Sequence, residues 1–428
     1  MIEYLPILLF IAIFILILIG YPVAFTLGGL SVLVGLWIFD INFFYLLSLR
    51  VYGTMQNFVL LAVPLFIFMG IMLEKSGIAE KLLETMSMLF GRFRGGLAIS
   101  VIVVGAMLAA STGIVGATVV TMGLISLPTM LKKGYSPGIS TGTIAASGTL
   151  GQIIPPSVVL VLLGSVLNVS VGDLFLSAVA PGVGLVLIYI LFVIIYARVY
   201  PDRIPKISKE EIREFKSHGF TRELVMTFIL PFLLILAVLG SIFAGIASPT
   251  EAAGVGAFGA IILTLAQRKL SLKILKEVSR ETTLLTSMVF FILVGATAFS
   301  LVFRGLEGDR IILSAIESAN LSPYAFLFLV MGVVFVAGFF IDFIEITFII
   351  VPVVAPIFQA LGFDLVWIGI LLAVNLQTSF LTPPFGFALF YLKGVAPPEV
   401  KTQHLYRGIL PFVIIQLFFL AGLVWFIG

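Results

Sequence analysis

Long apolar segments separated by short polar ones dominate this sequence. A helix rises 1.5 Å per residue, so about 20 apolar residues are needed to cross the ~30 Å hydrocarbon core of a bilayer. Such a succession of segments predicts an all-α polytopic membrane protein. The ten predicted spans are 4–20, 22–39, 58–74, 140–166, 174–198, 224–246, 251–267, 283–303, 362–392 and 408–427.

Two further apolar stretches, 97–131 and 322–356, are too long for one ordinary crossing. As a single helix each would extend about 50 Å. Small and polar residues interrupt the middle of each stretch, at 109–113 and at 338–342. We therefore predict two re-entrant hairpins that turn at mid-depth, where a turn is tolerated only if protein or a watery cavity surrounds it.

The distribution of positive charge supports these hairpins. If both stretches re-enter, 21 of the 24 lysines and arginines fall on one side of the membrane, and only Arg50, Arg304 and Arg310 fall on the other. If 97–131 crossed instead, everything after it would invert. By the positive-inside rule, the hairpin topology places both termini on the non-cytoplasmic side.

Composition excludes most other classes of protein. Hydrophobic residues make up 61% of the chain and charged residues 11%, which excludes a soluble enzyme. Cysteine is absent, and the only histidines, His218 and His404, lie in polar connections, which argues against disulfides and transition-metal sites. The net charge of +3 and the placement of basic residues indicate topology, not nucleic-acid binding.

An internal repeat organises the chain. A span, a polar arm-like stretch, a hairpin and a span interrupted by two prolines occur twice, the prolines being Pro155-Pro156 and Pro383-Pro384. By the topology above, the two copies are inverted. We predict four regions: N-terminal scaffold helices at 1–57, a first repeat at 58–198, cytoplasmic loops and connecting helices at 199–282 with a solvated connection at 198–222, and a second repeat at 283–428.

Inverted repeats with broken helices indicate a secondary transporter whose site lies near the membrane midplane. The alternative is that the prolines only kink their helices. A broken helix exposes carbonyls that can ligate a sodium ion and N–H groups that can receive an anion. Hydroxyl and amide groups cluster at both breaks, although such groups also commonly bond to carbonyls of their own helix. They are Ser111, Thr112, Ser147 and Thr149 in the first half, and Asn375, Thr378, Ser379 and Thr382 in the second.

Three acidic residues lie in apolar surroundings. Asp342 and Glu345 are expected to be functional, because charge inside a membrane is costly. Their spacing leaves open a proton-linked pair, a sodium ligand, or acids near a watery entrance. Glu251 follows Ser248 and is best explained as the acid of a helix N-terminus.

Four segments together resemble the large membrane subunit of tripartite ATP-independent periplasmic (TRAP) transporters. They are MGIMLEKSGIAE at 69–80, ASGTLG at 146–151 followed by IIPPS at 153–157, SPTEAA at 248–253, and NL with LTPP within 375–384. The resemblance covers nearly the whole chain. Glu345, where the family leads us to expect a small or apolar residue, and Gln152 depart from it.

The resemblance implies an elevator-type, sodium-coupled importer in a bacterial or archaeal cytoplasmic membrane, with no enzymatic activity and no cofactor other than the coupling Na⁺. It implies two partner chains, a small four-helix membrane subunit (Q) and a periplasmic substrate-binding protein (P). The expected substrate is an organic acid such as a C4-dicarboxylate, sialic acid, a keto acid or a sugar acid. A stand-alone sodium- or proton-coupled anion symporter is the alternative.

The same resemblance assigns residues to three sites. The first sodium site would comprise Ser111, Thr112, Gly113, Gly148, Thr149, Gly151 and Pro155. The second would comprise Gly338, Asp342, Asn375, Thr378, Thr382 and Pro383. The substrate would contact Ser147, Gln152, Ser379 and Glu345.

Overall fold

The computed structural model describes residues 4–112, 115–217 and 220–427, and every regular element in these ranges is a helix. Short 3₁₀ turns occur at Phe58–Leu61, Leu150–Gln152 and Pro201–Arg203, and a π-helical turn at Val225–Ile229. The α-helices are α1 (Leu5–Ile19), α2 (Val23–Ile38), α3 (Phe43–Met55), α4 (Ala62–Lys75), α5 (Ile78–Phe90), α6 (Gly96–Thr112), α7 (Val115–Lys132), α8 (Pro137–Thr149), α9 (Val158–Leu167), α10 (Val171–Val199), α11 (Lys209–Ser217), α12 (Phe220–Leu224), α13 (Leu230–Phe243), α14 (Pro249–Ala266), α15 (Leu272–Gly305), α16 (Gly308–Ser318), α17 (Pro323–Ala337), α18 (Phe343–Ile349), α19 (Val351–Ala360), α20 (Leu365–Leu381), α21 (Phe387–Val395) and α22 (Thr402–Ile427).

Among the described residues, seven helical segments are long and apolar enough to cross a membrane. An eighth is added if α18 and α19, which bend by 53° at their junction, count as one span. Six shorter apolar helices accompany them, including α1, α2 and α20. This architecture confirms the prediction of an all-α polytopic membrane protein.

The surface of α10 shows how these helices meet lipid. Its exposed stripe carries Leu187, Leu191 and Ile195, while its buried stripe includes Leu185 and Tyr189. Both faces are apolar, as expected of a helix that packs against protein on one side and hydrocarbon on the other.

Helices α8 and α20 lie inside the protein. The final turns of α8 and nearly all of α20 have no exposed residue, and both carry several hydroxyl or amide side chains. Helices α6, α7 and α22 surround α8, and α9, α10, α17 and α22 surround α20. This placement keeps the polar groups away from lipid, where they would be costly.

A second group of helices packs around α15, which contacts α2, α3 and α4. Helix α4 also packs against α14, and α14 against α13. The two groups meet where α4 contacts α6 and α9, and where α15 contacts α18.

Several details differ from the sequence-based predictions. The arm-like stretches 75–96 and 304–320 contain the amphipathic helices α5 and α16. The second arm of the stretch 322–356 is divided into α18 and α19, whereas the corresponding helix α7 continues through Pro128. Segment 43–55, for which the sequence predicted no separate span, forms helix α3.

The segment 198–222 keeps most of its described charged side chains exposed, as expected of a solvated connection, but it also packs against the protein. Ile204, Ile207 and Ile212 are buried, and Lys133 forms an ion pair with Glu211, their Nζ and Oε1 atoms lying 2.6 Å apart. Apolar residues spaced through this charged segment hold it against the protein.

Candidate functional site: two interrupted helices

The first interruption follows α8. After Thr149 the chain makes one 3₁₀ turn and resumes a helix only at Val158. Proline has no N–H, so Pro155 and Pro156 leave the carbonyls of Gly151 and Gln152 without the donor that a helix supplies four residues ahead. The Gln152 carbonyl instead accepts a hydrogen bond of 3.0 Å from the Ser157 hydroxyl.

Helix α6 lies directly against this interruption. Gly105 contacts Ser147, and Gly151 lies so close to the Ala109 carbonyl that a side chain at Gly151 would collide with it. On the other side, Gly148 packs against Val119 of α7. The final turns of α6, at Gly105 and Ala109, therefore meet the break.

The remaining residues of the predicted first sodium site have defined places. Thr149 donates a hydrogen bond of 3.0 Å to the Ala146 carbonyl, which leaves its oxygen lone pairs for other contacts. Pro155 is buried in the interruption. Ser111 and Thr112 end α6 but their side chains lie outside the described atoms, and Gly113 lies outside the described residues.

The second interruption separates α20 from α21. Five residues, 382–386, connect Leu381 to Phe387. Pro383 and Pro384 occupy the positions three and four residues after Phe380, so the Phe380 carbonyl has neither N–H donor. The Pro155–Pro156 and Pro383–Pro384 peptide bonds are both cis.

Helix α17 lies along α20 as α6 lies along α8. The Asn375 amide donates to the Met331 carbonyl at 2.8 Å, and the Ser379 hydroxyl donates to the Phe335 carbonyl at 2.6 Å. A Cβ atom on Gly338 would lie 2.5 Å from the Ser379 Oγ atom, so the turn after α17 touches the interrupted helix.

The two interruptions use the same register. Ser147 and Gly151 precede Pro155 by eight and four residues, and Asn375 and Ser379 precede Pro383 by the same intervals. At each of these positions the interrupted helix contacts its neighbour, α6 in the first half and α17 in the second. The repeated sequence pattern thus corresponds to repeated packing.

Two hydroxyls of the predicted second sodium site bond within their own helix. Thr378 donates to the Val374 carbonyl at 2.7 Å, and Thr382 donates to the Thr378 carbonyl at 2.8 Å. As with Thr149, the oxygen lone pairs stay available.

Asp342 and Glu345 form a capping box at the start of α18. An Asp342 carboxylate oxygen accepts from the Phe343 N–H at 2.7 Å, and Glu345 Oε2 accepts from the Asp342 N–H at 3.2 Å. Each acid thus satisfies backbone donors at the helix start. Glu251 has the same structural role, forming a capping box with Ser248, as predicted.

A cavity of about 320 Å³ opens beside the second interruption. Asp342, Phe380 and Tyr391 line it together with Val115 and Gly116 of α7. Asp342 therefore faces a space shared by both halves of the protein. The four residues predicted to bind substrate do not line this cavity.

The predicted substrate residues lie instead among packed helices. Ser147 donates to the Ile144 carbonyl at 3.1 Å, and Ser379 joins α20 to α17. Gln152 is fully buried, and neither polar atom of its side chain has a hydrogen-bond partner among the described residues. Gln377 has the same properties and was missed from sequence, although an amide next to a break in an apolar helix is a visible signal.

Comparison with known proteins decides between the possible transporter families. Residues 10–428 match the family described as "Tripartite ATP-independent periplasmic transporter, DctM component". The chain belongs to the DctM family. It is 32% identical over 393 residues to the C4-dicarboxylate TRAP transporter large permease protein DctM of Pseudomonas aeruginosa, covering 92% of this chain and 90% of that protein.

A longer relative is the isethionate TRAP transporter permease protein DctMQ of Oleidesulfovibrio alaskensis. It is 30% identical over 407 residues, which cover 94% of this chain and 62% of that relative. The crystal structure of the Alcanivorax borkumensis YdaH transporter has the same fold, with a TM-score of 0.64, 15% identity and 98% of each chain covered.

This DctM-family chain is therefore a transporter permease and not an enzyme. It is a multi-pass membrane protein of a bacterial TRAP system that imports organic substrates. The resemblance stated from four sequence segments is confirmed over nearly the full chain.

Proposed function

We propose that this permease imports an organic acid in symport with sodium, after a periplasmic binding protein has delivered the acid. The observation that carries the proposal is the pair of buried, interrupted helices, each contacted by a hairpin arm at the same two positions. Carbonyls without N–H donors and nearby hydroxyl oxygens are suitable ligands for a hard cation.

The coupling ions would occupy the two interruptions. Backbone oxygens near Gly151 and Thr149 would hold one Na⁺, and those near Phe380 with the Thr378 and Thr382 hydroxyls would hold the other. Close contact with Ala109 and Gly338 brings a hairpin arm to each site. Bound cations would also offset the charge of a carboxylate substrate.

The proposed movement is an elevator. Repeats 58–198 and 283–428 would be inverted, with re-entrant hairpins at 97–131 and 322–356 and both termini outside the cytoplasm. The group containing α8 and α20 would slide against the group around α15. The named substrates of the two relatives, a C4-dicarboxylate and isethionate, are anions, which supports an organic acid as substrate.

A small membrane subunit, Q, is the proposed partner within the bilayer. The name and greater length of the DctMQ relative support this pairing. The N-terminal helices offer an apolar face for it, where Phe25, Leu33 and Trp37 of α2 are exposed, Trp37 by 74%.

Thermal stability of the purified protein in sodium or potassium, at constant ionic strength, tests the coupling ion. A ligand that binds only the folded state stabilises it by about 2.7 kcal/mol at a hundredfold excess over its Kd. We expect a rise in melting temperature with sodium alone, lost in the double variant Thr149→Val/Thr382→Val.

The matched control is Thr264→Val, because Thr264 is buried in α14, outside both interruptions, and donates to the Ala260 carbonyl at 2.8 Å. This variant should keep the sodium response. Equal melting temperatures in sodium and potassium would contradict sodium coupling and favour Asp342 and Glu345 as a proton-linked pair. Uptake without an added binding protein would favour the stand-alone symporter.

A further inference from the structure

A second cavity among the described residues is basic and includes no residue of either double-proline interruption. It measures about 450 Å³, within the roughly 300–1,000 Å³ of small-molecule sites. We call it the basic cavity, and its polar lining comprises Arg50, Thr54, Asn57, Ser165, Asn168, Thr297, Ser300 and Arg304. None of the described residues proposed to bind sodium at the interruptions lines this cavity.

The two arginines of the basic cavity lack carboxylate partners. The ion pairs of the described residues are Lys75–Glu281, Lys133–Glu211 and Arg310–Glu307, so neither Arg50 nor Arg304 takes part in one. Partial burial, and then the nearby charge of Arg304, lower the pKa of Arg50. Two unpaired like charges at one cavity favour the binding of an anion.

Neutral donors lie beside the guanidinium groups. The Asn57 amide donates to the Ser165 hydroxyl oxygen at 3.1 Å, while the Asn57 side-chain oxygen accepts from the Val59 N–H at 3.0 Å. Ser165 thus accepts a bond from Asn57 and keeps its own O–H for a ligand. Ser300 precedes Arg304 by one helical turn on the same face of α15.

The cavity lies at one end of the membrane. Helix α15 is continuous for 34 residues, and Lys273 at its start is about 47 Å from Arg304 along the helix axis. These two positions therefore belong to opposite membrane faces. Arg50 and Arg304 are two of the three basic residues that the positive-inside rule places outside the cytoplasm.

The walls of the cavity come from both helix groups. Arg50 and Arg304 belong to α3 and α15, whereas Ser165 belongs to α9, and Phe348 and Pro352 to α18 and α19. A ligand held here touches the group around α15 and also helices α9, α18 and α19.

We infer that the basic cavity is a recruitment site for the substrate anion, in which a small carboxylate binds the Arg50 and Arg304 guanidinium groups before it reaches the interrupted helices. The inference rests on the proposed import of an organic acid. Arginine suits this task because its planar donors match a carboxylate.

Cysteine labelling tests the site without knowledge of the substrate, because the chain contains no cysteine. Gly53 lines the cavity close to Arg50 in sequence, and a Cβ atom added there has no neighbour within 4 Å. Gly53→Cys would be labelled on intact cells with two impermeant methanethiosulfonates, one carrying a sulfonate and one a trimethylammonium group. Positive potential should favour the anionic over the cationic reagent about tenfold.

The double variant Arg50→Gln/Arg304→Gln, in the same background, should abolish that preference. Arg310→Gln is the matched control, since Arg310 lies on α16, outside the cavity lining, and pairs with Glu307. It removes one charge on the same side and should leave the preference intact. Equal preference in all variants, or labelling only after the cells are permeabilised, would overturn the inference.

Protection identifies the occupant. Succinate should slow labelling of the Gly53→Cys variant about twofold at a concentration equal to its Kd, whereas neutral succinamide at constant ionic strength should not. Protection by succinate that survives loss of both arginines, or protection only by the binding protein, would overturn a small-carboxylate site. Labelling requires neither sodium nor transport, so it can fail while the sodium-dependent melting persists.

Discussion

The two interrupted helices share a sequence pattern but differ in their surroundings. In the first, Ile153, Pro155 and Ser157 are all buried, and the Ser157 hydroxyl bonds to the Gln152 carbonyl. In the second, Pro384 and Phe385 are exposed, Phe385 by 44%, and no hydroxyl follows the prolines at the corresponding position.

This difference shows that the same double-proline pattern can lie in an enclosed interruption or in an exposed one. The double proline removes helix donors in both places. The cavity that Asp342 lines reaches only the second interruption, at Phe380 and Phe387. In this conformation the second interruption therefore borders an open cavity, while the first is enclosed.

Labelling of single cysteines should show the largest difference between the two interruptions. Ser157→Cys and Phe385→Cys occupy equivalent positions, each directly after the double proline, in a chain without other cysteines. Reaction of the Ser157→Cys variant requires local opening, and an opening cost of about 3 kcal/mol slows its labelling about 100-fold relative to the Phe385→Cys variant. A thiol-reactive fluorophore in detergent measures both rates, and equal rates would refute the enclosed state of the first interruption.

A smaller difference is expected in the stability cost of adding a methyl group at Gly151, which contacts α6, and at Gly338, which follows α17. Gly151→Ala places a Cβ against the Ala109 backbone, which cannot move aside, and should lower the free energy of unfolding by about 2 kcal/mol. Gly338→Ala meets the Ser379 Oγ atom at 2.5 Å, which can rotate away, and the Ser379 Cβ atom at 2.9 Å. These contacts are milder than the closer approach to the Ala109 carbonyl at Gly151, so this change should cost less. Gly332→Ala on α17 has no neighbour within 4 Å and serves as the control. Thermal denaturation ranks the three, and an equal loss at 151 and 332 would contradict the contact.

The smallest expected effect concerns the Ser157 hydroxyl, which follows the first double proline and has no counterpart at Phe385. Ser157→Ala leaves the Gln152 carbonyl without its donor and should cost about 1 kcal/mol of stability. Ser241→Ala is a suitable control, because Ser241 bonds to the Val238 carbonyl within a regular helix. If the two variants melt at the same temperature, the bond to Gln152 has no special role.

The positions of the breaks could be predicted from sequence because their cause is local. Proline removes an N–H wherever it stands, so Pro155 and Pro383 marked each interruption without knowledge of any neighbour. The exposure of Phe385 and the enclosure of Ser157 could not be predicted, since they depend on helices distant in sequence.

The acids show a different limit. Asp342 and Glu345 were expected to be functional because they lie in an apolar segment. Their spacing of three residues before an apolar run is also the pattern of a capping box, which is what the structure contains. The apolar sequence around the two acids therefore did not distinguish acids that bind an ion or proton from acids that cap a helix. The cavity beside Asp342 is information that only the fold supplies.

The folded segment after α10 has a mechanical consequence. Ile204, Ile207 and Ile212 are buried, Glu211 is paired with Lys133 at the end of α7, and α11 also packs against α5, which packs against α6. The connection between the halves is thus anchored to the first half at Ile204, Ile207, Glu211 and Ile212. Under the proposed elevator movement, α11 would travel together with α5 and α7.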